Sequence, residues 1–250
     1  GSVFTFGTTM KILHIGINAN GDFTQGLQRE FTKIGSYQEI NIRSYNIDEL
    51  ICRTSDSFKP DLIFMQIQSE KKINTNSLSY LRENGAFIIN WTGDVRQPLP
   101  AWYYEFGRHV NLTCFTNMND VDTLRNAQLP ADYLQIGYDE KIYSPHGKKF
   151  KGAPKIIFLA NNYSCFPVSQ LRYDMVIFLK TNYPDTFEVY GDNWMFQENS
   201  YIHDQYAESQ LYRSAKIAIN CSQFDYRRYS SDRILRIMGS GTFCLSKWFP

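Results

Sequence analysis

PDLIFMQIQSEKKINTNSLSYLRENGAFIINWT, residues 60–92, reads as one strand–helix–strand unit. PDLIFMQI (60–67) is apolar almost without a break, as a strand buried on both faces requires. NTNSLSYLRENG (74–85) takes helical spacing and stops at Gly85, and AFIINWT (86–92) returns to a continuous apolar run. Strands of this kind need cover above and below, which a parallel sheet between two helix layers supplies.

The same alternation extends in both directions. MKILHIGIN (10–18) is a strand, ANGDFTQG a loop, and LQREFTKIG a helix with Leu27, Phe31 and Ile34 on one face and Gly35 at its end. INIRSYN (40–46) alternates like a second strand, and IDELICRTSDSF (47–58) is a helix. Beyond residue 92, AWYYEFGRHV and NDVDTLRNAQ are helices, while NLTCFTN and ADYLQIG are strands. YDEKIYSPHGKKFKGAPK (138–155) breaks the rhythm with Pro, Gly and lysines and reads as an interdomain linker with a solvated basic face. Alternation then restarts. KIIFLAN, TFEVYG, KIAINCS and TFCLS are strands; SQLRYDMVIFLKTNY, DQYAESQLYRSA and SDRILRIMGSG are helices.

The predicted fold class is therefore α/β, with two facing Rossmann-like domains over 10–145 and 146–250. Residues 1–9, ahead of Met10, read as a tag or linker. The chain stops at KWFP directly after a strand, so the C-terminal domain is expected to be truncated.

Net charge is +1 over 250 residues, so no global field draws the chain to nucleic acid or an anionic membrane. Any anion site must be local. Five cysteines are scattered without a CxxC pair, which fits a reducing compartment and excludes a disulfide framework or zinc cluster. His14 sits inside an apolar strand pattern and is expected to be structural. No apolar run approaches the ~20 residues of a membrane span, and a cytoplasmic protein is expected. Aromatic content of 16% suits clefts that stack rings or sugars.

In open α/β sheets ligands sit at the carboxyl ends of strands. In the second module those ends carry Arg172 after the strand IIFLAN, then Gly191, Asp192 and Trp194 after FEVYG. After IAINCS comes QFDYRRYSSDR, with Arg227, Arg228 and Arg233, and with Ser230 or Ser231 as the expected cap of the next helix. Arginine forks match phosphate oxygens, and a helix start favours anions. By spacing alone, Asp225 and Asp232 equally well pair these arginines on the surface. Met238, Ile234 and Ile237 are expected in the core, with Gly239 and Gly241 ending the helix and allowing close packing. In the first module the strand ends carry NGDFTQG, with Asp22, and NWTGDVRQPLP, with Asp94 and Arg96. Asp94 reads either as a general base or as a turn cap. No Ser-His-Asp order, HExxH, Walker loop or DxD pair occurs.

YRSAKIAINCSQFDYRRYSSDRILRIMGSGTFCLS (212–246) resembles the donor-site segment of GT-B glycosyltransferases, in particular the group 1 and CgeB-like (spore maturation) families. Arg233, the apolar pair after it and Gly241 before TFCLS match that framework. FLANNYSCFPVSQLRYDMVIFLK and VYGDNW fall where those families place their first two C-terminal strands. The resemblance covers most of 155–246; in 10–140 it rests on strand–helix order and on WTGDVR. One departure stands out: the two acids of the families' E-x7-E pair fall at Arg228 and Arg236.

The resemblance implies a glycosyltransferase that moves a sugar from a nucleotide-sugar donor to an acceptor hydroxyl. A sugar of a surface polysaccharide is the favoured acceptor; a protein or a modified DNA base remains open, with nucleic acid not favoured. It implies no metal and no cofactor beyond the nucleotide sugar as co-substrate. Arg172, Arg228, Ser230, Ser231 and Arg233 are the diphosphate candidates. Tyr190, Gly191, Asp192, Trp194, Asp232 and Arg236 are the nucleoside-side candidates. Asp94 and Asp22 are the candidates to orient or deprotonate the acceptor. A GT-B nucleotide-sugar epimerase and a non-catalytic binding protein for a sugar or small anion are the alternatives.

Overall fold

The computed structural model describes residues 9–17, 24–135, 137–195, 200 and 202–248. The chain divides into two compact units, Gly1–Gln135 and Ile136–Pro250.

The first unit alternates β1 (Met10–Gly16), α1 (Thr24–Ile34), β2 (Gly35–Asn41), α2 (Ile47–Phe58), β3 (Leu62–Met65), α3 (Thr75–Glu83), β4 (Phe87–Thr92), α4 (Trp102–His109), β5 (Leu112–Phe115), α5 (Met118–Asn126) and β6 (Ala131–Tyr133). All its strand pairs are parallel, in the order β2-β1-β3-β4-β5-β6. The unbroken apolar runs have the expected cause. Ile12, Leu13 and Ile15 of β1 and Ile63 and Met65 of β3 are wholly buried, because helices cover both faces. Leu13, Ile15, Ile63 and Met65 pack with Ile51 of α2, Leu78 and Leu81 of α3 and Phe106 of α4. Asn74 caps α3, its side chain accepting from the Asn76 N–H at 2.9 Å, and Asn117 caps α5 from the Asp120 N–H at 2.8 Å.

The second strand lies earlier than its sequence pattern suggests, over 35–41 instead of 40–46. α1 does end just before Gly35, and Gly35 is at once the first residue of β2; a Cβ there would stand 2.0 Å from the Met10 carbonyl oxygen. Among the described residues β2 is an edge strand that pairs only with β1, so its polar residues Ser36, Tyr37, Gln38 and Glu39 mask it from an apolar-run reading. His14 is structural, as expected: it is buried, with Nδ1 2.9 Å from the Tyr37 hydroxyl and Nε2 2.6 Å from Gln66 Oε1.

The second unit alternates β7 (Ile156–Leu159), α6 (Ser169–Asn182), β8 (Phe187–Tyr190), α7 (Gln205–Ser214), β9 (Ile217–Asn220), α8 (Arg233–Gly239) and β10 (Phe243–Ser246). The strands run parallel in the order β10-β9-β7-β8. Successive residues of β7 feed opposite faces. Ile157 and Leu159 pack with Leu211, Tyr212 and Ile237, while Phe158 packs with Val176, Phe187, Val189 and Trp194. The chain leaves β7 toward β8 on one side and returns to β9 on the other, so the topological switch point lies between β7 and β9.

The stretch 138–155 is not a linker: Ile142 and Tyr143 are buried in the second unit's core, and the Ser209 hydroxyl donates to the Ile142 carbonyl at 2.6 Å. Met238 is not core but 60% exposed; the seven-residue α8 sends Ile237 inward and turns Met238 out. Gly239 and Gly241 do end the helix by close packing. A Cβ at Gly239 would meet the Tyr138 ring at 2.5 Å, and Gly241 takes a φ of 75° next to Pro145.

Candidate active site

The loops that leave β7 and β9 meet at the switch point, joined where the Val168 N–H donates to the Gln223 carbonyl at 3.2 Å. Arg172 stands in the first turn of α6 and is 3% exposed. Its Nη2 donates to the Asn161 carbonyl at 3.1 Å, and its guanidinium carbon lies 5.3 Å from the centre of the Phe158 ring. Arg233, the first residue of α8, brings its guanidinium to 5.5 Å from the same ring. Arg233 Nε donates to the Leu159 carbonyl at 2.6 Å and Nη1 to the Ser231 hydroxyl at 3.2 Å. Neither arginine has a carboxylate within ion-pair distance among the described residues. Burial first, then the neighbouring charge of Arg233, lowers Arg172 to about 9. Two guanidinium groups thus share one aromatic floor without a protein counter-charge, an arrangement that an anion relieves.

Buried Asn220, the last residue of β9, locks this corner. Its Oδ1 accepts from the Ser231 hydroxyl at 3.0 Å, and its Nδ2 donates to the Ser246 hydroxyl at 3.0 Å. The Ser231 N–H donates to the Ser222 hydroxyl at 3.1 Å. The expected serine cap is therefore absent: Asp232 precedes the helix with helical backbone angles and makes no side-chain cap bond. Ser231 serves Asn220 and Arg233 instead, and α8 is only seven residues long. The arginine side chains, not the helix start, carry the positive character here.

Beside Arg233 lies a small cavity of about 120 Å³, lined by Leu159, Tyr190, Ile202, Glu208, Asp232, Arg233 and Arg236. Pockets that bury a drug-sized ligand run to ~300–1,000 Å³, so this one takes a single ring or phosphate. Its far wall is an ion cluster. Arg236 pairs with Glu208 at 3.1 Å and with Asp232 at 2.5 Å, and its guanidinium lies 5.3 Å from the Tyr143 ring centre. The Tyr143 hydroxyl donates to Glu208 Oε2 at 2.5 Å. Burial works against the Arg236 charge, but the two carboxylates outweigh it and raise its pKa. Burial and then Glu208 raise the Tyr143 hydroxyl, which stays protonated as a donor. The buried Tyr212 hydroxyl, one turn after Glu208, has no hydrogen-bond partner among the described residues.

The other candidate residues divide as follows. Tyr190 lines the cavity and donates its hydroxyl to Glu188 Oε2 at 2.8 Å. Gly191 allows the chain to pass close to β7: a Cβ would stand 2.1 Å from the Ala160 carbonyl oxygen. Asp192 is exposed beside this crossing, and its N–H donates to Asn161 Oδ1 at 2.8 Å. Trp194 is buried in the core, with its indole N–H donated to the Ala160 carbonyl at 2.6 Å. It braces the loop rather than offering a face to a ligand ring. Arg228 is exposed on the loop at a φ of 57°, and Ser230 is buried nearby. Asp225 bonds Lys247 and Asp232 bonds Arg236, so neither acid neutralises Arg172 or Arg233.

In the first unit Asp94 is exposed beyond the end of β4, where Arg96 Nη2 reaches it at 3.2 Å. Asp22 lies outside the described residues. No group of three His, Cys, Asp or Glu side chains that could hold a metal ion occurs among the described residues. No described helix is long and apolar enough to cross a membrane.

No protein-family model matches the chain, and no curated protein matches it in sequence. Its fold is that of a known enzyme structure. The crystal structure of an α1,3-fucosyltransferase is similar over 97% of this chain and 70% of that one, with a TM-score of 0.50 and 13% identity. At that identity the likeness is one of fold, and it establishes the GT-B type of α/β architecture with two Rossmann-like units.

Glu208, Tyr143 and Phe158 escaped the sequence reading. Glu208 had a signal: it stands three and four residues before Leu211 and Tyr212, so the inward stripe of α7 carries one carboxylate. Tyr143 was hidden by the linker reading of 138–155. Phe158 carries no local mark that separates it from any other strand residue.

Proposed function

We propose that the chain is a glycosyltransferase that holds a nucleotide-sugar donor at the β7/β9 switch point and passes its sugar to an acceptor hydroxyl. One observation carries this reading: Arg172 and Arg233 share the Phe158 ring without a carboxylate, beside a cavity that Glu208 and Asp232 line. The fold likeness to an α1,3-fucosyltransferase supports it.

In this reading the two arginines, with Arg228 from the loop, neutralise the diphosphate as charge builds on it when the sugar–oxygen bond breaks. Arginine, not a metal ion, then supplies the positive charge. Glu208 and Asp232 accept hydrogen bonds from the ribose hydroxyls, with Arg236 holding both carboxylates in place. Tyr190, Gly191 and Asp192 border the nucleoside side. Asp94, and Asp22 beyond the described residues, orient or deprotonate the acceptor hydroxyl. A hydroxyl of a surface polysaccharide is the favoured acceptor.

The test is release of nucleoside diphosphate from a panel of nucleotide sugars, with and without saccharide acceptors. Acceptor-stimulated release, reduced roughly 10²-fold or more by Arg233→Ala, supports the assignment. A folded chain that turns over no nucleotide sugar with any acceptor overturns it.

A further inference from the structure

The strands of the second unit have their amino ends on the edge opposite the corner where Arg172 and Arg233 meet. Lys155 precedes β7 and Lys216 precedes β9, and the N–H groups of Lys216 and Ile217 both donate to the Lys155 carbonyl, at 2.9 and 3.0 Å. The segment HGKKFKGAPK (146–155) is pinned to the same turn. Arg213, in the last turn of α7, donates from Nη1 to the Ser144 carbonyl at 3.0 Å and from Nε to the Lys148 carbonyl at 3.3 Å. The Phe150 N–H donates to the Ser214 hydroxyl at 2.7 Å. Two stretches distant in sequence thus gather Lys148, Lys149, Lys151, Lys155 and Lys216 around the end of α7.

All five lysines are exposed, and none has a carboxylate within ion-pair distance among the described residues. Neither 146–155 nor 213–217 contains an acid. The edge carries one, Asp185, beside Thr186, whose carbonyl accepts from the Ile156 N–H at 3.0 Å. Glu140, earlier in the chain, is offset by its neighbour Lys141. Five lysines and Arg213 against Asp185 leave a surplus of five positive charges, in a chain whose net charge is only +1. Arg213 already complements the carbonyl end of α7, so the lysines exceed what that helix end needs.

Two apolar rings stand among these charges. Phe150 is flanked by lysines and 46% exposed; Phe243, which opens β10 opposite Ile217, is 65% exposed. Lysine ammonium groups attract a dense anionic surface without demanding the forked geometry of single-phosphate recognition. Exposed rings beside them gain by entering the boundary between headgroups and acyl chains. A nucleic-acid backbone offers the charge without that apolar layer.

We infer that the amino edge of the second unit docks on an anionic lipid bilayer, its lysines against the headgroups and Phe150 inserted between them. The carboxyl ends of the same strands, with Arg172 and Arg233, then face away from the bilayer. The inference does not rest on the transferase reading.

The experiment sediments the intact chain with vesicles of phosphatidylcholine alone and with vesicles of phosphatidylcholine and phosphatidylglycerol in a ratio of about three to one. Binding to the anionic vesicles is expected to be at least about 10-fold tighter and to weaken as salt rises. Lys148→Ala/Lys149→Ala/Lys151→Ala, at three exposed positions, lowers it about 10²-fold. Phe150→Ser keeps the backbone bond to Ser214; it lowers binding several-fold and leaves the salt dependence unchanged, which separates insertion from charge alone. Far-UV circular dichroism checks that both variants are folded. Equal binding to the two vesicle types, no binding to either, or an unchanged affinity in the triple-lysine or Phe150 variant overturns the inference. Tighter binding to a single-stranded oligonucleotide than to the anionic vesicles at the same salt also overturns it, and assigns the edge to nucleic acid.

Discussion

Arg172 and Arg233 bring their guanidinium carbons to 5.3 and 5.5 Å from one buried ring, Phe158, from two different helices. Like charges held together in a desolvated corner cost stability unless another role retains them. Replacing Arg172 with leucine removes the uncompensated charge. The ligand-free melting temperature is therefore expected to stay level or rise, while nucleoside diphosphate binding weakens at least 10-fold. Calorimetric melting and titration of the same variant check both halves.

The wall of the cavity beside Arg233 behaves as a unit because Arg236 serves two acids at once. Glu208→Gln leaves Arg236 paired with Asp232 and keeps an acceptor for Tyr143, so the expected cost is about 1–2 kcal/mol. Arg236→Met leaves two carboxylates facing each other in a half-buried site, and the expected cost is about 3–5 kcal/mol. Urea unfolding of the two variants should preserve that ranking.

Gly191 sits where β8 must clear β7. Gly191→Ala puts a Cβ 2.1 Å from a backbone oxygen, and backbone cannot swing away as a side-chain tip does. A loss of about 3 kcal/mol or more is expected. Gly85→Ala, at a φ of 90° but with nothing within 4 Å, should cost only about 1 kcal/mol. Comparing the two by denaturant midpoints separates close approach from backbone conformation.

Asp120 is a buried carboxyl at the start of α5, pushed up from 3.8 to about 6 by burial, with the Asn117 bond and the Arg96 charge pulling the other way. Between those two values the folded chain binds a proton that the unfolded chain has released. Stability therefore falls as pH rises through that window, and the loss is complete above it. Asp120→Asn flattens this slope, gaining on the order of 2 kcal/mol relative to wild type at pH 7.5 compared with pH 4. Urea titrations at the two pH values read it directly.

Most of the architecture was legible in the sequence because buried parallel strands leave unbroken apolar runs, and IIFL of β7 and LIFM of β3 are plain examples. Where burial is one-sided the signal fades: β2 hides behind Ser36, Gln38 and Glu39, and the edge position explains why. The segment 138–155 misleads because its Pro, Gly and Lys residues are exposed while Ile142 and Tyr143, spaced within the same stretch, anchor it in the core. Arg172 and Arg233 were legible as a strand-end pair. Their contrast with Arg236 was legible only in part: Asp232 pairs with Arg236 at i,i+4, but the second carboxylate comes from Glu208, 28 residues away on α7. Ion pairing across a fold leaves no mark in local spacing.

On the proposed function, Arg172 and Arg233 form an anion site for the diphosphate of a nucleotide sugar. The most direct measurement is isothermal titration of the intact chain with a panel of nucleoside diphosphates, repeated on Arg233→Ala. Saturable binding of at least one of them, weakened 10-fold or more by Arg233→Ala in a variant whose far-UV circular dichroism matches wild type, is the predicted result. Absence of binding to every nucleoside diphosphate, or binding that Arg233→Ala leaves unchanged, would contradict it.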